Sequence, residues 1–436
     1  MLEIAIYLVL IAAFALFMQQ RAGVPTPITI ISTVVAIKLV GYTPFTISDA
    51  TFDQMVYLML PILLCVDAMA LRWDELKKNA LSLFYIAGVM IILSVGMAIL
   101  VNRHILPDYE LTAPMVAALF CMFLATDPVS VSAVFGRAKL PHNLKVLAEG
   151  ESLFNDASAL LVFSIALMAM GYGPTHIEST TVYAMKMIFG SVVVGVVSGY
   201  MCVMLLKHIH DAMTETMIVL LLALGVFAFA EHYHVSGIIS VVVAVLFANH
   251  IITKGLVDTD SVNEKSATEK KKFLRRILLN YEEMTKDNTI YQVVKGNIQF
   301  LGIIAATILF ATMATVVDLT LLMDYKNEII AVFIGSTIIR MIMLGGFAWL
   351  SKKTTKVVTI HLHWWKILTA AGVKGAFSLL MLHMIPKTFQ YIELFTAIVI
   401  GNVLLTTFIY PIAMMIIVKA YSKEFEAEYE AEHSHD

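Results

Sequence analysis

Residues 113–135 read APMVAALFCMFLATDPVSVSAVF, an apolar run with Thr126, Asp127 and Pro128 at its middle. Roughly 20 apolar residues let a helix cross about 30 Å of hydrocarbon, so this run suits a single crossing. Proline removes a backbone donor and disfavours helix at the residue before it. The crossing is therefore expected to break near its centre, freeing the carbonyl and hydroxyl oxygens of Thr126 beside a carboxylate. Non-helical backbone at that depth is tolerated only inside protein or against a water-filled cavity. The stretch thus predicts an all-α, polytopic membrane protein with a discontinuous helix.

Working outward at the same scale gives spans near 2–19, 24–41, 54–71, 80–101, 113–135, 143–170 and 181–206. Further spans follow near 214–230, 235–252, 297–317, 328–349, 365–385 and 391–418. The composition agrees: 59% of the 436 residues are hydrophobic and 14% charged, against about 25% charged in soluble domains. Soluble enzymes, secreted disulfide scaffolds and disordered chains are excluded. Cys65, Cys121 and Cys202 all lie in apolar runs and imply no disulfide framework. Leu2–Gln20 lacks a basic leader and a small-residue cleavage site, so it is expected to be a retained span.

Cytoplasmic loops collect Lys and Arg. With thirteen spans, 23 of the 30 cations fall on one side and five on the other, while Arg340 and Lys374 lie inside spans. The N-terminus is expected outside and the C-terminus in the cytoplasm of a cell (inner) membrane. The one long hydrophilic loop, 253–296, contains KKKFLRRIL at 270–278. This reads either as an amphipathic helix on anionic lipid or as a solvated topology signal. A short acidic cytoplasmic tail occupies 419–436, of which Glu424–Asp436 is expected to be disordered and solvated rather than a metal site at His433 and His435.

Ionisable groups inside spans are costly, and their default reading is functional. They are Asp67, Asp127, Glu151, Asp156, Arg340 and Lys374; Glu149 lies nearer the boundary and reaches water. Counting about 1.5 Å per residue puts Asp127, Asp156 and Arg340 about 15 Å from the cytoplasmic boundary and Lys374 about 12 Å. By the same rise Glu151 and Asp67 are shallower, at about 9 and 7 Å. Four acids face two bases, so two negative charges are left over in low dielectric. Bound cations, protons or raised pKa values must meet that surplus. A site that exchanges a cation for a proton does so economically.

In Glu151-Ser152-Leu153-Phe154-Asn155-Asp156, the residues Asn155, Ser152 and Asp156 lie about 40°, 100° and 140° round the helix from Glu151. Half of that helix is oxygen ligand, the donor type that hard monovalent cations prefer. A hydrogen-bonded seam between helices accounts for Ser152 and Asn155 but not for two acids in two turns. Ala371-Gly372-Val373-Lys374-Gly375 is a second, weaker break. With 181–206 as a linker helix, repeats at about 1–170 and 214–418 each carry a break in their fifth span. Inverted-repeat transporters with crossed discontinuous helices share this pattern. Asp127 would offset the half-helix N-termini and Lys374 the C-termini.

The motifs Ala125–Val129 and Glu149–Asp156, with the arginine of the eleventh span, resemble the NhaP-type sodium/proton antiporters, prokaryotic relatives of the animal exchangers. The resemblance runs from about span 2 to span 13. It implies a homodimer whose mobile core carries the ion by an elevator-like motion. It also implies that Asp127 and Asp156 bind Na+ or protons, with Thr126, Ser152 and Glu151 as further ligands. Asn155, Arg340, Lys374 and Asp67 would organise the site, Arg340 pairing with Glu151. The Asn155–Asp156 pair implies electroneutral one-for-one exchange. Two positions depart from the family pattern: Lys374 stands where an arginine is usual, and Ala306 where an asparagine is. The expected partners are a monovalent cation and a proton, with no cofactor and no nucleic acid. A K+/H+ antiporter of the same fold and a cation channel are the competing readings. An enzyme is disfavoured, since Glu231-His232-Tyr233-His234 has the wrong spacing for a zinc protease.

Overall fold

The computed structural model describes residues 2–41, 49–172, 180–260, 288–354 and 357–433. The basic stretch 270–278 lies outside them. Every regular element among the described residues is helical. The first are α1 (Leu2–Ala22), α2 (Thr26–Leu39), α3 (Asp49–Ala70) and α4 (Trp73–Lys78). A long helix follows as α5 (Ala80–Phe84), a π-helical turn (Tyr85–Val89) and α6 (Met90–Ile105). Next come α7 (Ala113–Leu124), α8 (Pro128–Phe135) and α9 (His142–Ala169). A second π turn (Lys186–Gly190) joins α10 (Thr180–Met185) to α11 (Ser191–Leu206), ahead of α12 (Ala212–His232) and α13 (Gly237–Asp260). The remainder are α14 (Asn288–Val316), α15 (Leu319–Asp324), α16 (Lys326–Ser351), α17 (Leu362–Ala370), α18 (Ala376–His383), α19 (Ile392–Ala420) and α20 (Ser422–His433).

Nine helical stretches among the described residues are long and apolar enough to cross a membrane. Shorter apolar helices occupy 26–39, 54–70 and 237–253. Many apolar side chains point outward: Leu100 is 78% exposed, Leu221 66% and Val193 62%. Water would penalise such surface, whereas lipid tails match it.

The chain forms two compact units, the first from Met1–Leu60, Glu75–Ala184 and Ile304–Asp436, the second from Pro61–Asp74 and Met185–Ile303. In the second unit α11 packs against α13 through the small residues of Gly195-Val196-Val197-Ser198-Gly199. A Cβ on Gly199 would stand 2.7 Å from the Ala244 carbonyl oxygen, so only glycine allows this approach. In the first unit α7 and α9 pack closely, with α6, α16, α18 and α19 around them. At the ends of crossings, Asp211 and Asp318 cap α12 and α15 by accepting from Thr214 and Thr320. Those donors hold both carboxyls below the usual aspartate range.

Among the described residues the tail departs from the disorder expected of it; 434–436, with His435, lie outside them. Residues 422–433 form α20, Phe425 is 1% exposed, and Glu428 and Glu432 accept hydrogen bonds from other helices. Composition reads the many glutamates as solvated. It misses that two of them meet helix N-termini and that one aromatic anchors the turn.

Candidate ion-binding site

Each broken helix ends where its sequence removes helical hydrogen bonds. α7 stops at Leu124, Ala125 and Asp127 are extended, and α8 begins at Pro128, which needs no amide partner there. Asp127 caps α8: its Oδ2 accepts from Ser130 N at 3.2 Å and Ser130 Oγ at 3.0 Å. α17 stops at Ala370, and α18 starts after Gly375, whose backbone is extended. The two breaks meet backbone to backbone, Asp127 N donating to Val373 O at 2.7 Å. A Cβ on Gly375 would lie 2.7 Å from the Asp127 Cβ, so the crossing demands glycine.

α9 runs beside this crossing and presents its oxygen face. Asp156 Oδ1 accepts from Thr126 N at 2.9 Å. Thr126 Oγ1 donates to Ser152 Oγ at 3.1 Å, and Ser152 Oγ donates to Thr126 O at 2.7 Å. The oxygens released by the break are therefore engaged by Ser152 rather than left free, although a carbonyl keeps a second lone pair. Asn155 Nδ2 donates to Leu124 O, the last carbonyl of α7, while its Oδ1 is buried with no hydrogen-bond partner. Asp156 and Glu151 are buried, whereas Asp127 keeps part of its surface accessible.

The positive side comes from two more helices. Arg340 of α16 lies 2.7 Å from Glu151 Oε1, with both side chains under 10% exposed, and donates to Leu368 O of α17 at 2.9 Å. Lys374 is buried, its charge within reach of Arg340, Glu151 and Asp156. Its backbone N donates to Thr406 Oγ1 of α19 at 3.0 Å. The structure thus brings together Thr126, Asp127, Glu151, Ser152, Asn155, Asp156, Arg340 and Lys374 in the first unit. Asp67 belongs to the second unit, where its charge acts on Cys65. Counted within the first unit alone, these residues hold three carboxylates against two cations, a formal surplus of one negative charge; Asp67 is the fourth acid of the sequence count.

Sequence reasoning passed over Ser130 and Thr406. The first was legible as the N3 partner of a capping aspartate. The second was not, because its role is to accept from a backbone 32 residues away.

Crossed broken helices carrying buried carboxylates and cations are the arrangement of inverted-repeat secondary transporters. Residues 7–420 match the family described as sodium/hydrogen exchanger, transmembrane, and the chain belongs to that family of transporters. It is 32% identical over 205 residues to the Na(+)/H(+) antiporter NhaH of Halobacillus dabanensis, covering 45% of this chain and 49% of the relative. It is 30% identical over 275 residues to the Na(+)/H(+) antiporter NhaG of Bacillus atrophaeus, covering 60% and 51%. Against the low-affinity Na(+)/H(+) antiporter NhaS1 of Synechocystis sp. it is 25% identical over 400 residues, covering 90% and 69%. The chain thus spans about half the length of the first two relatives. The fold is similar to that of the sodium proton antiporter MjNhaP1 from Methanocaldococcus jannaschii at pH 8, with TM-score 0.67, 15% identity and 98% of each chain covered.

Proposed function

We propose that this chain exchanges Na+, and Li+ with it, for H+, one for one, by alternating access at a single carboxylate cluster. The observation that carries the reading is the cluster's single uncompensated negative charge at the crossing of two broken helices. One monovalent cation neutralises it, and so does one proton, but both together overfill it. Asp156 and Asp127 take the cation or the proton, with Thr126, Ser152 and Glu151 completing the oxygen set. The unpartnered Oδ1 of Asn155 is an acceptor that an incoming cation satisfies. Arg340 holds Glu151, and Lys374 supplies the second fixed positive charge. We further propose thirteen spans with the N-terminus outside, residence in the cell membrane and a homodimeric assembly. The names carried by the relatives support sodium as the cargo.

The test is dissipation of a pH gradient by proteoliposomes offered lithium, sodium, potassium or rubidium. Sodium and lithium should drive it, and D156N should abolish it while leaving the melting curve intact. Exchange driven by potassium alone would select the K+/H+ reading, persistent single-channel currents would select a channel, and full exchange by D156N would remove Asp156 from the site.

A further inference from the structure

We propose that Gly372 is a positioning residue for Arg340: at this one residue α17 releases the carbonyl that the guanidinium takes, and the missing side chain leaves the space in which the guanidinium lies. Its effect on transport rests on the antiport reading above.

In a continuous helix each amide donates to the carbonyl four residues back. Ala371 N still does so, to Ile367 O at 2.8 Å. Gly372 N turns instead to Thr369 O at 3.4 Å, so Leu368 O loses its helical donor. Arg340 Nη2, arriving from α16, replaces that donor at 2.9 Å. A cation is favoured at such a place, because the last carbonyls of a helix carry partial negative charge. The same nitrogen lies 2.7 Å from Glu151 Oε1 of α9. One atom thus joins the end of α17 to the helix that carries Asp156.

A single nitrogen acts as a pivot, fixing the reach of the guanidinium but not the tilt of its plane. No polar contact sets the other edge, since Nε is buried without a hydrogen-bond partner. Leaving a buried donor unmatched is costly, so the contacts at Nη2 decide where the group sits. Beside the unmatched edge stands Gly372. A Cβ there would lie 2.7 Å from Nε, 2.9 Å from Cδ and 3.1 Å from Cζ. Three consecutive atoms of an arm held at its far end cannot all step aside without pulling Nη2 off its acceptors. Any side chain at 372 therefore moves the charge that neutralises Glu151, five residues before Asp156 on α9. By this route the break in one helix governs the charge beside the ion site in another.

The experiment uses the full chain, with sodium-driven exchange in proteoliposomes and melting in detergent. G372A should lower kcat/KM for sodium by about tenfold or more and melt below the wild type. G346A is the control: Gly346 shares α16 with Arg340 but has open space where a Cβ would stand, and it should match the wild type. Two double variants separate the arginine from the break. R340K has a flexible stem that can bend off the alanine, so G372A/R340K should exchange as R340K does. G372A/R340A should melt with R340A, because the atoms that the Cβ would meet are gone. Wild-type exchange by G372A overturns the proposal. So does a G372A penalty that is undiminished on R340K or R340A, which would mean that the glycine serves the break alone. A wild type that exchanges no alkali ion, with the melting cycle still non-additive, defeats the antiport reading and leaves the positioning role standing.

Discussion

Arg340 has two obligations under 10% exposure: it neutralises Glu151 and satisfies the Leu368 carbonyl. Both contacts come from one nitrogen, Nη2, whose two N–H bonds reach different acceptors. Truncation strands a carboxylate in low dielectric, a change that typically costs about 3–5 kcal/mol. R340A should therefore melt well below the wild type in detergent, and E151Q on that background should recover part of the loss. A wild-type melting curve for R340A would show that the pair carries no stability. These two residues were legible beforehand, because charges inside apolar runs stand out from any composition. The partners of Asp127 and Lys374 were less so: Ser130 follows a capping rule, but Thr406 is reached only by folding.

At the scale of elements, the two breaks matter more than the length of any span. Pro128 announces the first and the glycines at 372 and 375 the second, yet their value lies in meeting. Asp127 N reaches Val373 O at 2.7 Å, and the space beside Gly375 is already filled by the Asp127 side chain. G375A should displace that carboxylate and lower exchange by about tenfold or more with helix content unchanged. Transport and circular dichroism on the same preparation check this, and an unimpaired variant would show that Asp127 need not sit where the crossing puts it. The end caps behave differently. Asp211 and Asp318 are held below the usual range, so their contribution is present above about pH 4 and fades as the pH falls through their lowered values.

For the whole molecule the decisive quantity is net charge in the first unit's cluster. The carboxylates of Asp127, Glu151 and Asp156 exceed Arg340 and Lys374 by one. Under the one-for-one exchange proposed above, the loaded and protonated carriers would bear the same charge, and the cycle is expected to move none across the membrane. Clamping the potential with potassium and valinomycin should leave the sodium-driven rate unchanged, as read by a pH dye. A rate that follows the potential would mean that Lys374 or Asp67 also exchanges a proton during the cycle.

Hydropathy, positive charge by location and charges stranded in apolar runs belong to the chain whatever its fold. They determined the membrane class, the breaks and the set of candidate residues, since each depends on local composition or spacing. Which charges share one site is a sum over distant segments, and no local pattern contains it. Only the folded chain set Asp67 in a different unit from the other five and tied Lys374 to Thr406. It alone turned an acidic tail into a helix gripping two others, because carboxylates and helix N-termini pair by position in space.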